Sequence, residues 1–380
     1  MDTLLSKGLT KVLDAKRWLR YKDLDPLFEF INTHDVFRSE EFGKSEEGRP
    51  LRAIYWGSGP KRLIIWTQMH GNEPTATHAL DLLIQSLVHD IKVKALENKI
   101  SLALVPMLNP DGAERFQRRN ALGIDLNRDA VAQCSSEIQA FYNLLDQFKP
   151  NWAFNMHDQR NLFSIGAQNK SATLSFLAPS PNENRHISLE RKASMQMIGA
   201  LGLHLEQHLK GHFGRYTDEF YPKAIGDNLM KAGIPNILFE AGYYPNDHLR
   251  EKSCFLIHQA LLKSLELIVD EQWQYTDTES YFKIPENKKQ LRDMIFRGLN
   301  YRGCTMDLAL MRVEMPMRRS GQLEILHEIV DIGDLSAFQG IEEHEGGSLQ
   351  SERDLGINQI ADFTWTGARN YTFKNGKLLQ

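Results

Sequence analysis

Four short runs of β-branched and large apolar residues recur along the first two thirds of the chain, and each is followed or ended by polar residues that can carry chemistry. Runs of this length and composition predict buried strands. Because ligands and catalytic groups collect at the carboxyl ends of strands in an open α/β sheet, the pattern predicts an α/β fold with one functional edge. The runs are Leu63–Trp66, Leu102–Val105, Trp152–Phe154 and Ile237–Phe239.

Apolar residues at helical spacing fill much of the chain between and around these runs. Pro74 suits the first turn of a helix, because its fixed backbone angle and missing N–H cost nothing there. The N-terminal leucines and Val12 also recur at roughly helical spacing. The predicted helices are Met1 to about Thr33, Pro74 to about His89, Ser136–Phe148, Ser188–Leu209 and Leu256–Glu271.

The pattern changes after about Trp273. Glu286–Phe296 is predicted to form one helix, and short alternating runs after it predict strands. Glycine-containing pairs such as Asn375-Gly376 predict the turns between them. The C-terminal part is therefore expected to be β-rich. The alternating runs are Leu308–Met315, Leu323–Ile329 and Tyr371–Phe373.

Composition is that of a folded protein without a nucleic-acid or membrane partner. Hydrophobic residues make up 42% and charged residues 25% of the 380 residues, and the net charge of −4 argues against general affinity for nucleic acid or anionic membranes. The N-terminus has no continuous apolar stretch of the kind found in signal peptides, and no apolar run reaches eighteen residues. Three cysteines without paired spacing fit a reducing compartment. We expect a cytoplasmic protein.

Three polar side chains after the predicted strands have the chemistry of a metal site. His70 and Glu73 are three residues apart, and His157 follows a different strand. Two imidazoles and one carboxylate suit a zinc ion and leave a fourth coordination position for water, which is the arrangement of a catalytic rather than a structural site. Thiolates offer no alternative, because the cysteines are far apart and form no C-x-x-C pair.

Arginines near this predicted edge can bind anions. A guanidinium group matches a carboxylate with two parallel hydrogen bonds, which a lysine does not provide. Arg128 beside Asn127 fits a site for a substrate carboxylate, and Arg118 and Arg119 are both candidates for stabilising an oxyanion.

The motifs HGNE, NPDG and R-x-N-x-x-G-x-D-L-N-R, followed by a histidine after a strand and a late glutamate, resemble those of the zinc carboxypeptidase family. The resemblance covers approximately Phe42 to Asp270. It implies a mixed-sheet α/β/α catalytic domain that binds one zinc ion per chain through His70, Glu73 and His157.

The same resemblance implies roles for four further residues. Glu240 is the expected general base that takes the proton of the attacking water, and Arg118 is favoured over Arg119 for polarising the scissile carbonyl. Asn127 and Arg128 are expected to hold the α-carboxylate of a peptide or peptide-like substrate. The expected organisation is an N-terminal helical segment (1–35), a catalytic domain (36–272) and a small β-rich C-terminal domain (273–380). The last is interpreted as structural support rather than a binding module.

The chain departs from the family pattern at three places, one of which is Asp129, where an Asn or another residue is common after the Asn-Arg pair. Asp158 follows the third predicted ligand where a serine is usual, and it is a candidate for orienting an imidazole or for reshaping a specificity subsite. The active-site tyrosine is not marked by a convincing local motif. Tyr221 is included with the substrate-binding residues, and Tyr216 remains an alternative.

Other functions stay open on the sequence. The aspartoacylase and succinylglutamate desuccinylase group shares the HGNE and D-L-N-R motifs and the late glutamate, but acts on N-acyl amino acids. A cytoplasmic murein-peptide amidase would share the motifs and the location, and a catalytically inactive binding module could keep the fold. His204, His208 and His212 recur every four residues, but no carboxylate or cysteine clearly completes a second metal site, so a polar helix face is favoured.

Overall fold

The computed structural model describes residues 11–166, 170–209, 211–317 and 320–379. Its contacts divide the chain into two compact units. The first comprises the described residues up to Gln159 together with Ala172–Asn287, and the second comprises Arg160–Ser171 with the described part of Lys288–Gln380. None of the helices in the described part of the chain combines the length and the hydropathy needed to cross a bilayer.

An eight-stranded mixed sheet forms the centre of the first unit, in the order β1-β2-β4-β3-β5-β9-β7-β8. Its four middle strands β4, β3, β5 and β9 are parallel, so their carboxyl ends lie along one edge. The strands up to β9, of which β6 belongs to the second unit, are β1 (Phe37–Lys44), β2 (Pro50–Trp56), β3 (Lys61–Trp66), β4 (Ile100–Val105), β5 (Trp152–Asp158), β6 (Ser164–Ile165), β7 (Leu174–Leu177), β8 (Phe213–Arg215) and β9 (Asn236–Ala241).

Helices cover this sheet on both faces. The helices are α1 (Asp25–Asn32), α2 (Thr75–His89), α3 (Ile91–Lys94), α4 (Pro110–Glu114), α5 (Ser136–Phe148), α6 (Leu189–Leu209), α7 (Ile225–Lys231), α8 (Glu251–Asp270) and α9 (Glu279–Lys283). Successive residues of a strand point to opposite faces. Leu63 and Ile65 of β3 pack with α2, α6 and α8, whereas Ile64 and Trp66 pack with α5 and α7. The predicted mixed-sheet α/β/α fold is confirmed.

The prediction of a helix over residues 1–33 is wrong for residues 11–20, and residues 1–10 lie outside the described part of the chain. Residues 11–20 form no regular helix or strand, and a 3-10 turn at Tyr21–Leu24 leads into α1. Leu13 and Leu19 are buried against the first unit. The apolar residues are therefore spaced by their burial in an irregular segment. In the sequence, this spacing looks the same as the buried face of a helix.

The second unit is β-rich, as predicted. Its main sheet contains long antiparallel strands, and β14 adds to β11 in parallel. The strands from β10 onward, of which β10 spans the boundary between the units, are β10 (Asn287–Lys288), β11 (Leu291–Tyr301), β12 (Cys304–Met317), β13 (Gln322–Gly333), β14 (Gln339–Glu345), β15 (Ser348–Gln350), β16 (Gln359–Ile360), β17 (Phe363–Thr366), β18 (Asn370–Lys374) and β19 (Lys377–Leu378).

The predicted helix over Glu286–Phe296 is wrong, because most of this stretch belongs to β11. Met294, Ile295 and Phe296 are consecutive buried residues. A strand that is covered on both faces loses the alternation of apolar and polar residues that marks a strand with one exposed face. Met294 and Phe296 belong to one apolar cluster and Ile295 to another, so side chains cover both faces of β11.

The two units also divide the chain at other positions than the predicted boundaries. Residues 11–35 belong to the first unit, which continues to Asn287 rather than ending at residue 272. Trp273 packs on the core of the first unit, and Tyr281 of α9 is fully buried in it. The stretch Arg160–Ser171 joins the second unit although it lies between two strands of the first.

Candidate active site

Three buried side chains converge at the carboxyl edge of the central sheet. His70 and Glu73 lie on the loop after β3, and His157 is the next-to-last residue of the neighbouring strand β5. Nδ1 of His157 lies 3.1 Å from Nδ1 of His70 and 2.9 Å from Oε2 of Glu73, while Oε1 of Glu73 lies 2.9 Å from Nδ1 of His70. Among the described residues this trio is the group with metal-ligand geometry.

The trio has the electronic character of a cation site. One possible ligand atom from each of the three side chains lies within 4.8 Å of the other two, which is close enough for one cation to be shared. Burial opposes the charge of Glu73, but the neighbouring imidazoles outweigh it and hold the pKa of Glu73 well below its usual value. His₂Glu is a ligand set of catalytic zinc sites. These residues therefore fit the predicted zinc ion.

Asp125 orients the first of these imidazoles. Its Oδ1 lies 3.1 Å from Nε2 of His70, on the far side of the ring from Glu73. A carboxylate there fixes the tautomer in which Nδ1 is free to bind a metal. Sequence reasoning missed Asp125, although it is the first residue of the D-L-N-R motif, because the motif was interpreted only through its Asn and Arg.

A close contact between two motif glycines fixes the loop that carries His70. A Cβ added to Gly71 would lie 2.0 Å from the carbonyl carbon of Gly112, closer than real contacts allow. Gly71 belongs to HGNE and Gly112 to NPDG, so the two motifs pack backbone against backbone. Asn109 stabilises this arrangement, since its side chain accepts from the N–H of Gly112 and donates to the carbonyl of Met69.

Glu240 lies beside the third ligand. It pairs with His157 across the parallel strands β5 and β9. Burial, together with the negative charges of Glu73 and Asp158, raises the pKa of Glu240 well above its ordinary value. A carboxylate whose proton affinity is raised is suited to take a proton from water.

Arg118 reaches the same cluster, and Arg119 does not. Nη1 of Arg118 lies 3.1 Å from Nδ1 of His70, and its Nε donates to Oδ2 of Asp125 at 2.9 Å. Arg119 instead donates to the carbonyl of Gly123. The Arg118 side chain is 43% exposed, so it borders the trio and the solvent at once.

The predicted carboxylate-binding pair lies on a short 3-10 turn, Leu126–Arg128. Oδ1 of Asn127 accepts from the N–H of Ile225 at the start of α7, which ties this turn to the segment before β9. The exposed guanidinium of Arg128 lies 5.2 Å from the centre of the Tyr221 ring. Tyr221 is thus placed beside Arg128, while its hydroxyl lies near the carboxylate of Glu219.

Tyr216 has a different environment. Burial and the charges of Glu240 and Glu73 raise its pKa well above the ordinary value. The two tyrosines thus divide between the two ends of the candidate site, Tyr216 near the carboxylates of the metal cluster and Tyr221 near Arg128. His204 and His208 lie on α6 with ring centres 5.9 Å apart and belong to no metal-ligand group among the described residues.

Comparison with known proteins agrees with this geometry. A family model described as zinc carboxypeptidase matches residues 31–197. This part of the chain is therefore similar to the zinc carboxypeptidase family. The match includes the three metal-ligand candidates, Arg118, Asn127 and Arg128, whereas Tyr221 and Glu240 lie beyond it.

Relatives share limited parts of the chain. Probable carboxypeptidase 2 of Trichophyton verrucosum is 32% identical over 138 residues, 33% of this chain and 26% of that protein. Carboxypeptidase E of Caenorhabditis elegans is 34% identical over 113 residues, 23% of this chain and 24% of that protein. The matched region thus spans about a quarter of these relatives. A metallo-carboxypeptidase from Burkholderia cenocepacia has a similar fold, with a TM-score of 0.56 and 17% identity over 68% of this chain and 71% of that one.

Proposed function

We propose that the protein is a zinc-dependent metallocarboxypeptidase, which hydrolyses a peptide or peptide-like amide that ends in a free carboxylate. The observation that carries this proposal is the convergence of His70, Glu73 and His157. Nη1 of Arg118 lies 3.1 Å from Nδ1 of His70, and Glu240 lies opposite His157 on the neighbouring strand. Such a set supplies a metal site, a base and an oxyanion donor at one sheet edge.

Zinc, when bound, acts as a Lewis acid and lowers the pKa of water from 15.7 to about 7. The residues of the chain perform the other tasks. Glu240 takes the proton of the attacking water and returns it to the leaving amine. Arg118 donates to the carbonyl oxygen as negative charge develops on it.

Substrate selection falls to the turn at Leu126–Arg128. Arg128 binds the terminal carboxylate, and the side-chain nitrogen of Asn127 provides a further donor. The ring of Tyr221, beside the guanidinium, limits the positions that Arg128 can adopt. The proposed enzyme therefore cleaves at chain ends.

A substrate panel tests this function. The zinc-loaded protein should hydrolyse a peptide with a free C-terminus and leave the same peptide with an amidated C-terminus essentially intact. Preferred hydrolysis of N-acyl amino acids would instead support the aspartoacylase type, and preferred hydrolysis of muropeptides a murein-peptide amidase. Zinc binding without turnover of any of these substrates would support an inactive binding module.

A further inference from the structure

The N-terminal segment, residues 11–20, runs along the first unit and is tied to it at several points. The backbone N–H groups of Val12 and Leu13 both donate to Oδ2 of Asp81 on α2, at 3.0 Å each. Farther along, the indole of Trp18 donates to the carbonyl of Ala113. The segment is therefore held along its length rather than only at its end.

The last anchor brings the segment close to the first metal-ligand candidate. Nε2 of Gln68 donates to the carbonyl of Leu19 and also to the carbonyl of Gly71, at 3.0 Å each. Gln68 has a φ of +48°, a conformation that non-glycine residues adopt infrequently. One side chain thus joins the N-terminal segment to the loop that carries His70.

Arg17 extends from this segment to the other side of the metal cluster. Its Nη1 donates to Oγ1 of Thr75 at 2.8 Å and to Oδ2 of Asp158 at 2.9 Å. Thr75 in turn donates to the same carboxylate oxygen at 2.6 Å. Both charged side chains are nearly enclosed, with 7% of Arg17 and 4% of Asp158 exposed.

Asp158 connects these contacts to two metal-ligand candidates. It follows His157 directly in β5, and its backbone N–H donates to Oε2 of Glu73 at 3.1 Å. Nη1 of Arg250 also lies 3.9 Å from Oδ2 of Asp158. Glu73 thus accepts a hydrogen bond from the backbone of a residue whose side chain accepts from Arg17 and Thr75.

Removing Arg17 should disturb this arrangement strongly. A buried carboxylate that loses its partner keeps its desolvation cost and turns toward another cation or toward solvent. Asp158 lies beside Glu73 and Glu240, so its unpaired charge would add to two negative charges already present. We expect either movement to pull on the end of β5, where the N–H that holds Glu73 lies.

We propose that Arg17 is a positioning residue of the metal site: through Thr75 and Asp158 it holds Glu73 in the orientation that binds zinc. The N-terminal segment is then part of the active-site architecture although it precedes the sheet. This inference rests on the zinc site of the proposed function.

Zinc affinity of the Arg17→Met variant tests the inference. Competition with a chromophoric chelator should give a zinc Kd about tenfold or more above that of the wild type, because loss of residues that orient metal ligands commonly weakens binding 10- to 100-fold. The cobalt(II)-substituted variant should show an altered absorption spectrum, since ligand geometry changes. In turnover, kcat should fall while KM stays within about threefold.

The direction in which zinc affinity changes in Arg17→Met distinguishes a positioning role of Arg17 from a purely electrostatic effect of its charge. Loss of a positive charge near a cation site would by itself tighten zinc binding. Tighter or unchanged binding in Arg17→Met therefore overturns the proposal. The double variant Arg17→Met/Asp158→Asn removes the unpaired carboxylate and should bind zinc more tightly than Arg17→Met alone. Equal affinity of the two would exclude a role through Asp158.

Three further variants complete the experiment. Lys16→Met removes the same charge one residue away, where Lys16 pairs with Asp23, and should leave the zinc Kd unchanged. Arg17→Lys keeps the charge and should remain within about threefold of the wild type. If Arg17→Met does not fold, the Thr75→Val variant tests the proposal instead. It removes the hydroxyl that accepts from Arg17 and donates to Asp158, and it leaves the charge unchanged. We expect at least a threefold rise in its zinc Kd, and a wild-type value would overturn the proposal.

Failure of this inference is distinguishable from failure of the proposed function. Wild-type protein that binds no zinc would contradict the metallocarboxypeptidase itself. Wild-type protein that binds zinc and hydrolyses peptides, with Arg17→Met indistinguishable from it, would contradict only the role of Arg17.

Discussion

Single residues around the metal cluster differ in what they contribute, and loss of Glu240 should stop chemistry while leaving the metal in place. The Glu240→Gln variant keeps the size of the side chain but cannot accept a proton. We expect kcat to fall about 100-fold or more with zinc content unchanged, as measured by turnover of a free-carboxylate peptide and by metal analysis. Near-normal turnover would show that another group acts as the base.

Replacement of Arg118 and replacement of Arg128 should change different kinetic constants. In the proposed reaction the contact of Arg118 strengthens as the oxyanion forms, so Arg118→Ala should lower kcat by about 100- to 1,000-fold. The proposed contact of Arg128 is made in ground and transition states alike, so Arg128→Ala should mainly raise KM, by about 10- to 100-fold. Steady-state kinetics on one peptide separates the two effects. An amidated peptide should reproduce the Arg128 defect in the wild type, and equal use of both peptides would contradict the assignment.

The site could be predicted from sequence as far as its residues belong to contiguous motifs. His70, Glu73 and Arg118 lie in such motifs, and the structure brings them together. Arg17 could not be found in this way, because nothing in its local sequence marks a partner 141 residues away. The departure at Asp158 was visible, but its partners were not.

Among the elements, the N-terminal segment shows where periodicity misleads. Its apolar spacing imitates a helix because Leu13 and Leu19 fill pockets of the core from an irregular backbone. The β11 prediction failed for the related reason that burial on both faces removes the strand alternation. The central strands were predicted well, since their continuous apolar runs are short and end in polar motifs.

The attachment of the N-terminal segment to α2 should depend on pH. Burial raises the pKa of Asp81 from 3.8 to about 6, against hydrogen bonds from Leu13 and Val12 that lower it. The folded state thus holds this proton more tightly than the unfolded state, and the stability it contributes is present below about pH 4 and lost as the pH rises through 6. The loss amounts to about 3 kcal/mol.

The Asp81→Asn variant isolates this effect. We expect the wild type, but not the variant, to lose stability as Asp81 ionises. The free energy of unfolding of the variant relative to the wild type should therefore increase by about 3 kcal/mol from pH 4 to pH 7, as measured by urea denaturation at several pH values. Taking the difference cancels groups shared by both proteins, including Asp227, whose pKa burial raises to about 6. A difference independent of pH would show that Asp81 does not titrate in this range.

At the scale of the whole molecule, all three metal-ligand candidates belong to the first unit. Zinc that binds only the folded protein stabilises it by about 4 kcal/mol at a thousandfold excess over Kd. Removal by a chelator should therefore lower the melting temperature of the first unit by about 10 °C. His157→Ala is the matched control and should show no response to the chelator. An equal shift in both proteins would place the metal elsewhere.

The second unit is assembled from two stretches of sequence that lie far apart. The backbone N–H of Leu291 donates to the carbonyl of Leu162, and Asn161 donates to Asp293, so strand β11 depends on residues encoded well before it. A gene fragment that began at residue 288 would lack these partners. A fragment meant to reproduce the second unit must therefore supply residues 160–171 together with the C-terminal part of the chain.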